Sequence, residues 1–260
     1  MKKVLVLDFG GQYNLLVARR VRECGVYCEI KSYRLSMADI RAFGPDALIL
    51  TGGPATVFEP NAPMVDRALF EMGIPVLGIC YGQQLIMQLL GGQFRKAETR
   101  EYGKIQLTHT ASPLFAGVPE TSVCWMSHGV EVERIAPGFK VIATTDGCGF
   151  AAVENADRKL YGVQFHPEVT HTKQGQELLR RFVWLFVGAR RCGRQPTSSK
   201  TRSHACVNAI SATPNGMRNA VLPLLGRRDL LLRNARRSHP HPHGGTAYWI
   251  ESSAIRRTTA

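Results

Sequence analysis

The sequence predicts an α/β protein built on an open, mostly parallel sheet with helices on both faces. Two observations carry this prediction. Short apolar segments alternate with amphipathic ones over the first 90 residues, which is the pattern of a parallel sheet buried on both faces. From residue 93 to 167 the periodicity shortens to strands and turns, which indicates antiparallel strands added to one side of the sheet.

The predicted elements follow one another in a simple order. The strands are expected at 4–9, 27–33, 47–51, 75–79, 104–108 and 139–143. The helices are expected at 12–24, 36–43, 65–72, 83–90 and 174–187. Ser36 caps the second helix, and Arg19, Arg20 and Arg22 place a charged surface on the first. Ligand-binding groups in such a sheet gather at the carboxyl ends of the strands.

Cys80 stands between Gly78 and Gly82, where an apolar strand turns into a helix. A turn this sharp needs small neighbours, as in the G-x-nucleophile-x-G elbow. The sulfur is then expected at a helix N-terminus, where free amides and the helix dipole favour negative charge. A buried structural cysteine is the common alternative, but it does not explain the paired glycines. Cys80 is therefore the predicted nucleophile.

His166 and Glu168 supply the predicted base and its orienting carboxylate. The segment 160–169 is expected to be a strand that ends at His166. Residues two apart in extended chain face the same side, so Glu168 can accept a hydrogen bond from the imidazole, and Pro167 stiffens the pair. Together with Cys80 they have the composition of a catalytic triad.

The strand at 47–51 runs into the turn Gly52-Gly53-Pro54. Acyl transfer through a thiolate generates an oxyanion, which needs backbone N–H donors directed at it. Gly53 and Tyr81 are the predicted donors. A Gly-Gly-Pro turn alone is common, so this prediction depends on the two other motifs.

These three motifs, in this order, resemble the class I (triad) glutamine amidotransferases, and within that family the glutaminase domains of GMP synthetases. Further matching stretches lie at 6–13, 18–23, 25–30, 100–104, 125–129 and 163–171. The resemblance covers about residues 1–188. It implies a flavodoxin-like layering of the sheet and helices.

The resemblance implies hydrolysis of glutamine to glutamate and ammonia through a thioester on Cys80. It also implies that Gln84 contacts the substrate and that Ser127 and His128 line its pocket. The ammonia would pass to an ATP-pyrophosphatase domain or subunit that aminates XMP to GMP. ATP and Mg²⁺ belong to that second domain, so no cofactor or metal is expected in residues 1–188.

Two positions depart from the family pattern within the first 188 residues. Gly11 stands where the family usually has serine, and Val130 stands where an acidic residue usually follows Ser-His-Gly. The first change is expected to be mild. The second removes a charge near the pocket, which predicts altered glutamine affinity or altered coupling to the acceptor domain.

The composition changes sharply after Gly188. Residues 189–260 carry 13 Lys and Arg against two acidic residues, whereas residues 1–188 carry 20 against 18. The second segment contains no Ser-Gly-Gly-x-Asp-Ser loop, so no ATP-pyrophosphatase domain is predicted there. This basic tail has three possible interpretations: a disordered extension, a nucleic-acid-binding segment, or translation in a changed reading frame. The Arg-rich composition favours the third, and reading the gene in the other two frames tests it.

The seven cysteines, without a signal peptide, predict a cytoplasmic protein with reduced thiols. No apolar stretch approaches the roughly 20 residues of a membrane span. Two other functions compete with the amidotransferase interpretation. One is a cysteine hydrolase of the same fold, such as a γ-glutamyl peptidase, and the other is a non-catalytic truncated product with a nucleic-acid-binding tail.

Overall fold

The computed structural model of the chain describes residues 2–187. In this part of the chain there are nine strands and four α-helices. The strands are β1 (Lys3–Asp8), β2 (Tyr27–Ser32), β3 (Ala47–Leu50), β4 (Val76–Ile79), β5 (Gln93–His109), β6 (Thr121–Arg134), β7 (Lys140–Thr144), β8 (Ala152–Asn155) and β9 (Leu160–Val163). The helices are α1 (Asn14–Glu23), α2 (Met37–Phe43), α3 (Tyr81–Leu90) and α4 (Gly175–Val187).

All nine strands belong to one sheet, in the order β2-β1-β3-β4-β9-β8-β7-β5-β6. The first five strands in this order pair in parallel, and the remaining pairs are antiparallel. The predicted fold class is therefore confirmed, including the antiparallel additions. β4 and β9 lie side by side, so the segments that follow them meet at the same edge of the sheet.

Each face of the parallel sheet carries its own core. Val4 and Val6 of β1 pack with α1 and α4, whereas Leu5 and Leu7 pack with α2 and α3. Side chains alternate across a strand, so one fully apolar segment supplies both cores. Burial on both faces fixes the strand register, which in turn fixes the positions of the loops at the strand ends.

A predicted helix and the predicted end of one strand differ from the structure. The helix expected at 65–72 is only a 3₁₀ turn, Arg67–Glu71, which is capped by the Asp66 side chain and followed by Gly73 with a positive φ of 71°. The strand expected to reach His166 ends at Val163. The chain bends there because the Gln164 amide donates to the Ala151 carbonyl and the His166 amide donates to the Trp125 carbonyl.

The antiparallel region is larger than its sequence pattern predicts. β5 and β6 have 17 and 14 residues and form a long hairpin, whereas the sequence predicts a short strand at 104–108. The predicted basic tail, 189–260, lies outside the described residues, so the domain boundary at 188 stays a prediction. Among residues 2–187, no helix is long and apolar enough to cross a membrane.

Candidate active site

Cys80 lies at the sharp turn between β4 and α3. Its backbone has φ 52° and ψ −104°, in a region that residues with side chains rarely adopt. A Cβ at Gly78 would lie 2.5 Å from the carbonyl carbon and oxygen of Gly82, and a Cβ at Gly82 would lie 2.3 Å from the Leu50 carbonyl oxygen. The two glycines are therefore required by close backbone contacts, and the predicted elbow is present.

The amides around Cys80 have different partners. The Cys80 N–H donates to the Val163 carbonyl at 2.7 Å, so the last residue of β9 holds the turn in place. Tyr81 is the first residue of α3, and the first amides of a helix have no partner within the helix. The Tyr81 N–H is thus available to an anion, whereas the Cys80 N–H is already used.

His166 and Glu168 meet as the sequence predicts. The Nδ1 atom of His166 lies 2.7 Å from Oε1 of Glu168, and both side chains are buried. Burial lowers the pKa of His166, but hydrogen bonds with Cys80 and Glu168 outweigh this effect and raise the pKa to about 10. The imidazole therefore links the cysteine to the carboxylate.

Four residues outside the predicted site hold this pair in place. The Thr172 hydroxyl donates to the His166 carbonyl at 2.6 Å and accepts from the Trp125 amide at 3.0 Å. The Arg20 Nε atom donates to the Glu168 carbonyl at 3.2 Å, which ties α1 to the triad. The Tyr13 ring packs edge-on against the imidazole, with ring centroids 5.4 Å apart.

Cys80 opens into a cleft of about 570 Å³. The other predicted site residues line the same cleft: Gly53, Tyr81, Gln84, Ser127 and His128. A second cavity of about 290 Å³ reaches Cys80, His166 and Glu168 from the side of the Gly10–Asn14 turn. The structure thus brings together all eight residues that the sequence analysis selected, while their chemical roles stay predictions.

Gln84 and His128 are more constrained than a simple lining role requires. The Gln84 amide nitrogen donates to the Val130 carbonyl at 3.3 Å and to Oε1 of Gln164 at 3.1 Å. Both amide hydrogens of Gln84 are therefore used within the protein, and its carbonyl oxygen is the atom available to a substrate. His128 is buried, and its Nδ1 atom lies 3.2 Å from the Val130 carbonyl oxygen.

One buried group near the cleft has the composition of a metal site. Possible ligand atoms of Glu101, His128 and Cys148 lie within 4.8 Å of one another. However, both Glu101 oxygens lie 2.9 Å from the Thr145 hydroxyl, and one also accepts from the Gly147 amide. Hydrogen bonds therefore account for the position of this carboxylate without an ion.

The two departures from the family pattern have different structural settings. A Cβ at Gly11 would lie 2.4 Å from the Gly52 carbonyl oxygen, so a serine would require these two loops to separate. The expectation that this change is mild stays a prediction. Val130 lines the cleft, but its carbonyl oxygen makes the hydrogen bonds described above, and these do not depend on its side chain.

Gln164 is a site residue that was not predicted from the sequence; its amide nitrogen lies 3.6 Å from the Cys80 sulfur. A signal for it existed. Gln164 is a polar residue within an apolar run, two positions before His166, and it is 1% exposed. Buried polar side chains are normally hydrogen-bonded, so such a residue close to a predicted base points to the site.

Residues 5–186 match the family described as glutamine amidotransferase class-I. With the elbow, the His166–Glu168 pair and the cleft in place, the chain belongs to the class I glutamine amidotransferases. Similar curated proteins are named GMP synthase (glutamine-hydrolyzing). The protein from Caldicellulosiruptor saccharolyticus is 53% identical over 197 residues, which are 75% of this chain and 38% of that protein. The one from Acetivibrio thermocellus is 54% identical over 186 residues, 71% of this chain and 36% of that protein.

The chain thus spans less than two-fifths of the length of these relatives. Solved structures share the fold of this chain. A putative GMP synthase subunit from Thermoplasma acidophilum is 30% identical, with a TM-score of 0.68 over 73% of this chain and 96% of that chain. A glutamine amidotransferase from Thermotoga maritima, 17% identical with a TM-score of 0.56, shares the fold over 72% of this chain and 98% of that chain.

Proposed function

We propose that this chain is the glutaminase component of a GMP synthetase, which hydrolyses glutamine to glutamate and ammonia through a thioester on Cys80. The observation that carries the proposal is the geometry of the elbow. It places the Cys80 sulfur at the start of a helix, beside His166, at the floor of a cleft that can hold an amino acid.

Acylation starts from the ion pair in which His166, with its pKa raised to about 10, already holds the proton of the Cys80 thiol as an imidazolium that Glu168 stabilises. The sulfur then forms a bond to the side-chain amide carbon of glutamine. The oxygen of that amide becomes negatively charged and accepts hydrogen bonds from the amides of Gly53 and Tyr81. The C–N bond breaks, the nitrogen takes the proton from His166, and ammonia leaves.

Deacylation repeats these steps with water. His166 accepts a proton from the water molecule as its oxygen bonds to the thioester carbon. The C–S bond then breaks, its electron pair returns to sulfur, and glutamate leaves. No metal or cofactor takes part in this scheme. The Oε1 atom of Gln84 and the residues Ser127 and His128 position the glutamine.

We further propose that the ammonia is used to aminate XMP to GMP. The names of the relatives support this acceptor, as does the resemblance of the structure to a protein described as a putative GMP synthase subunit. The activation of XMP requires ATP and Mg²⁺, which would be bound in trans by an ATP-pyrophosphatase domain or subunit. Cytoplasmic localisation stays an expectation.

Ammonia release from glutamine tests the proposal. We expect turnover by the full chain and none above background by Cys80→Ala, because alanine retains the fold but has no nucleophile. Cys28→Ala is the matched control, since Cys28 is also buried but lies in β2 and does not line the cleft. Equal rates for the wild type and Cys80→Ala would refute the proposal.

A further inference from the structure

A pair of buried amides lies behind the Cys80 sulfur, on residues that are distant in sequence. Gln84 on α3 hydrogen-bonds Gln164 after β9, and Gln164 reaches the sulfur. Gln164 is 1% exposed and Gln84 is 5% exposed. Because both side chains are buried, each amide group must be oriented towards a hydrogen-bond partner. A buried amide without a partner would lower the stability of the folded protein.

The orientation of both amides follows from a single backbone group. The Val130 carbonyl can only accept a hydrogen bond, so Gln84 must present its NH₂ group there, at 3.3 Å. The same NH₂ group faces Gln164, which must therefore present its carbonyl oxygen, at 3.1 Å. This arrangement leaves the NH₂ group of Gln164 directed at the Cys80 sulfur, at 3.6 Å.

We propose that Gln164 is a further catalytic residue, a fixed N–H donor to the Cys80 sulfur, and that Gln84 positions it. The inference rests on the proposed glutaminase function. The Gln164 N–H donates most strongly when the sulfur is negatively charged, which is the state before attack and again after the C–S bond breaks. The thioester sulfur carries no such charge, so the donor favours its departure with the bonding electron pair during deacylation.

The chemistry of this donor differs from that of His166. An amide does not titrate in the working range, so Gln164 supplies a hydrogen bond without taking up or releasing a proton. His166 moves protons, and Gln164 stabilises charge on the sulfur. Gln84 then has two roles at once, because it lines the cleft with its oxygen still free to accept a hydrogen bond, while its NH₂ group orients Gln164.

The test compares three full-length variants: Gln164→Met, Gln84→Met and Gln83→Met. Methionine keeps the length of glutamine and removes the amide. Gln83 is the matched control, because it is also a buried glutamine of α3, yet its amide donates to the Phe150 carbonyl. Two measurements are made on each: glutamine turnover, and the pH dependence of Cys80 alkylation by iodoacetamide, followed by mass spectrometry of the Cys80 peptide.

For Gln164→Met we expect kcat to fall about tenfold with KM within about threefold of the wild type, as for the loss of a hydrogen bond to a charged group. The alkylation profile should move to higher pH. The control Gln83→Met should leave that profile in place. Identical profiles and identical kcat for Gln164→Met and Gln83→Met would overturn the proposal.

Gln84→Met keeps the proposal testable if Gln164→Met does not fold. Without Gln84, the Gln164 amide is free to turn its oxygen towards the sulfur, so the alkylation profile should again move to higher pH. An unchanged profile would overturn the proposal. Alkylation does not involve glutamine, so a shifted profile in a chain that fails to hydrolyse glutamine would support the contact and contradict only the proposed function.

Discussion

Cys80 holds a strained backbone conformation that its neighbours enforce. The Cys80 N–H donates to the Val163 carbonyl. The backbone N–H of Gln84, in α3, donates to the Cys80 carbonyl at 3.2 Å. Conformations of this kind cost of the order of 1–3 kcal/mol and persist where surrounding structure maintains them. In this conformation the Cys80 sulfur contacts both His166 and Gln164.

The raised pKa of His166 predicts how stability depends on pH. The pKa is about 10 in the folded protein against a usual value of 6.5, so the stabilisation by Glu168 and Cys80 is fully present below pH 6.5 and is lost as pH rises towards 10. We expect the difference in unfolding free energy between the wild type and His166→Asn to be largest near pH 6 and to decline by pH 10.5.

Chemical denaturation at a series of pH values measures this difference. Glu168→Gln is the companion variant, since it keeps the shape of the side chain and removes the charge that stabilises the imidazolium. In the Glu168→Gln protein, the contribution of His166 to the unfolding free energy should depend less on pH. A difference that stays constant from pH 6 to pH 10.5 would show that the imidazole is not held in its charged form.

At the level of residues, the triad could be predicted from the sequence, but the residues that hold it in place could not. Cys80 stands within a short, specific local motif, and His166 and Glu168 stand two apart in one segment. Gln164 is 80 positions from Gln84, and Arg20 is 148 positions from Glu168. No local periodicity encodes such pairs, because they form only when α1, α3 and the segment after β9 meet.

At the level of elements, the elbow depends on the close approach of β3 and α3. A Cβ at Gly82 would lie 2.3 Å from the Leu50 carbonyl oxygen, a backbone atom that cannot move without displacing β3. We expect Gly82→Ala to destabilise the protein by about 1–3 kcal/mol and to lower turnover, because the sulfur moves with the helix.

Gly149→Ala is the matched control for this substitution. Gly149 is exposed, and a Cβ there would have no atom within 4 Å. Thermal unfolding should therefore change little for Gly149→Ala and fall clearly for Gly82→Ala. Equal midpoints for the two variants would contradict the claim that close packing fixes the elbow.

The elements themselves were predicted well where both faces of a strand are buried. β1, β3 and β4 are continuous apolar runs whose type and order the sequence predicts directly. The 65–72 segment was predicted wrongly as an α-helix, because an apolar pattern over eight residues fits a 3₁₀ turn equally well and Gly73 ends it. The predicted end of β9, at His166, was also wrong, because tertiary hydrogen bonds from the backbone amides of Gln164 and His166 end the strand at Val163.

At the level of the whole molecule, the site faces a cleft rimmed by exposed aromatic side chains. Phe58 and Tyr102 line the cleft and are 54% and 60% exposed.

We expect basal glutaminase activity to be low and to rise when an ATP-pyrophosphatase component, XMP, ATP and Mg²⁺ are added. GMP formation coupled to ammonia release is the measurement.

The control for coupling is the same mixture without XMP. Turnover that stays at the basal level in the complete mixture would contradict a partner acting in trans. The charge distribution of the chain makes the ionic strength of this assay important, because residues 189–260 carry 11 of the 13 net positive charges. The measurement is therefore made at low and at physiological salt.

Detection of a glutamyl thioester on Cys80 tests the role of this cysteine as the nucleophile. The full chain is mixed with glutamine and quenched in acid within the first turnovers, and the Cys80 peptide is examined by mass spectrometry. We expect a glutamyl adduct on Cys80 in the wild type and none on any residue of Cys80→Ala. Ammonia release by the wild type without an adduct on Cys80, or with an adduct on another residue, would contradict this role of Cys80.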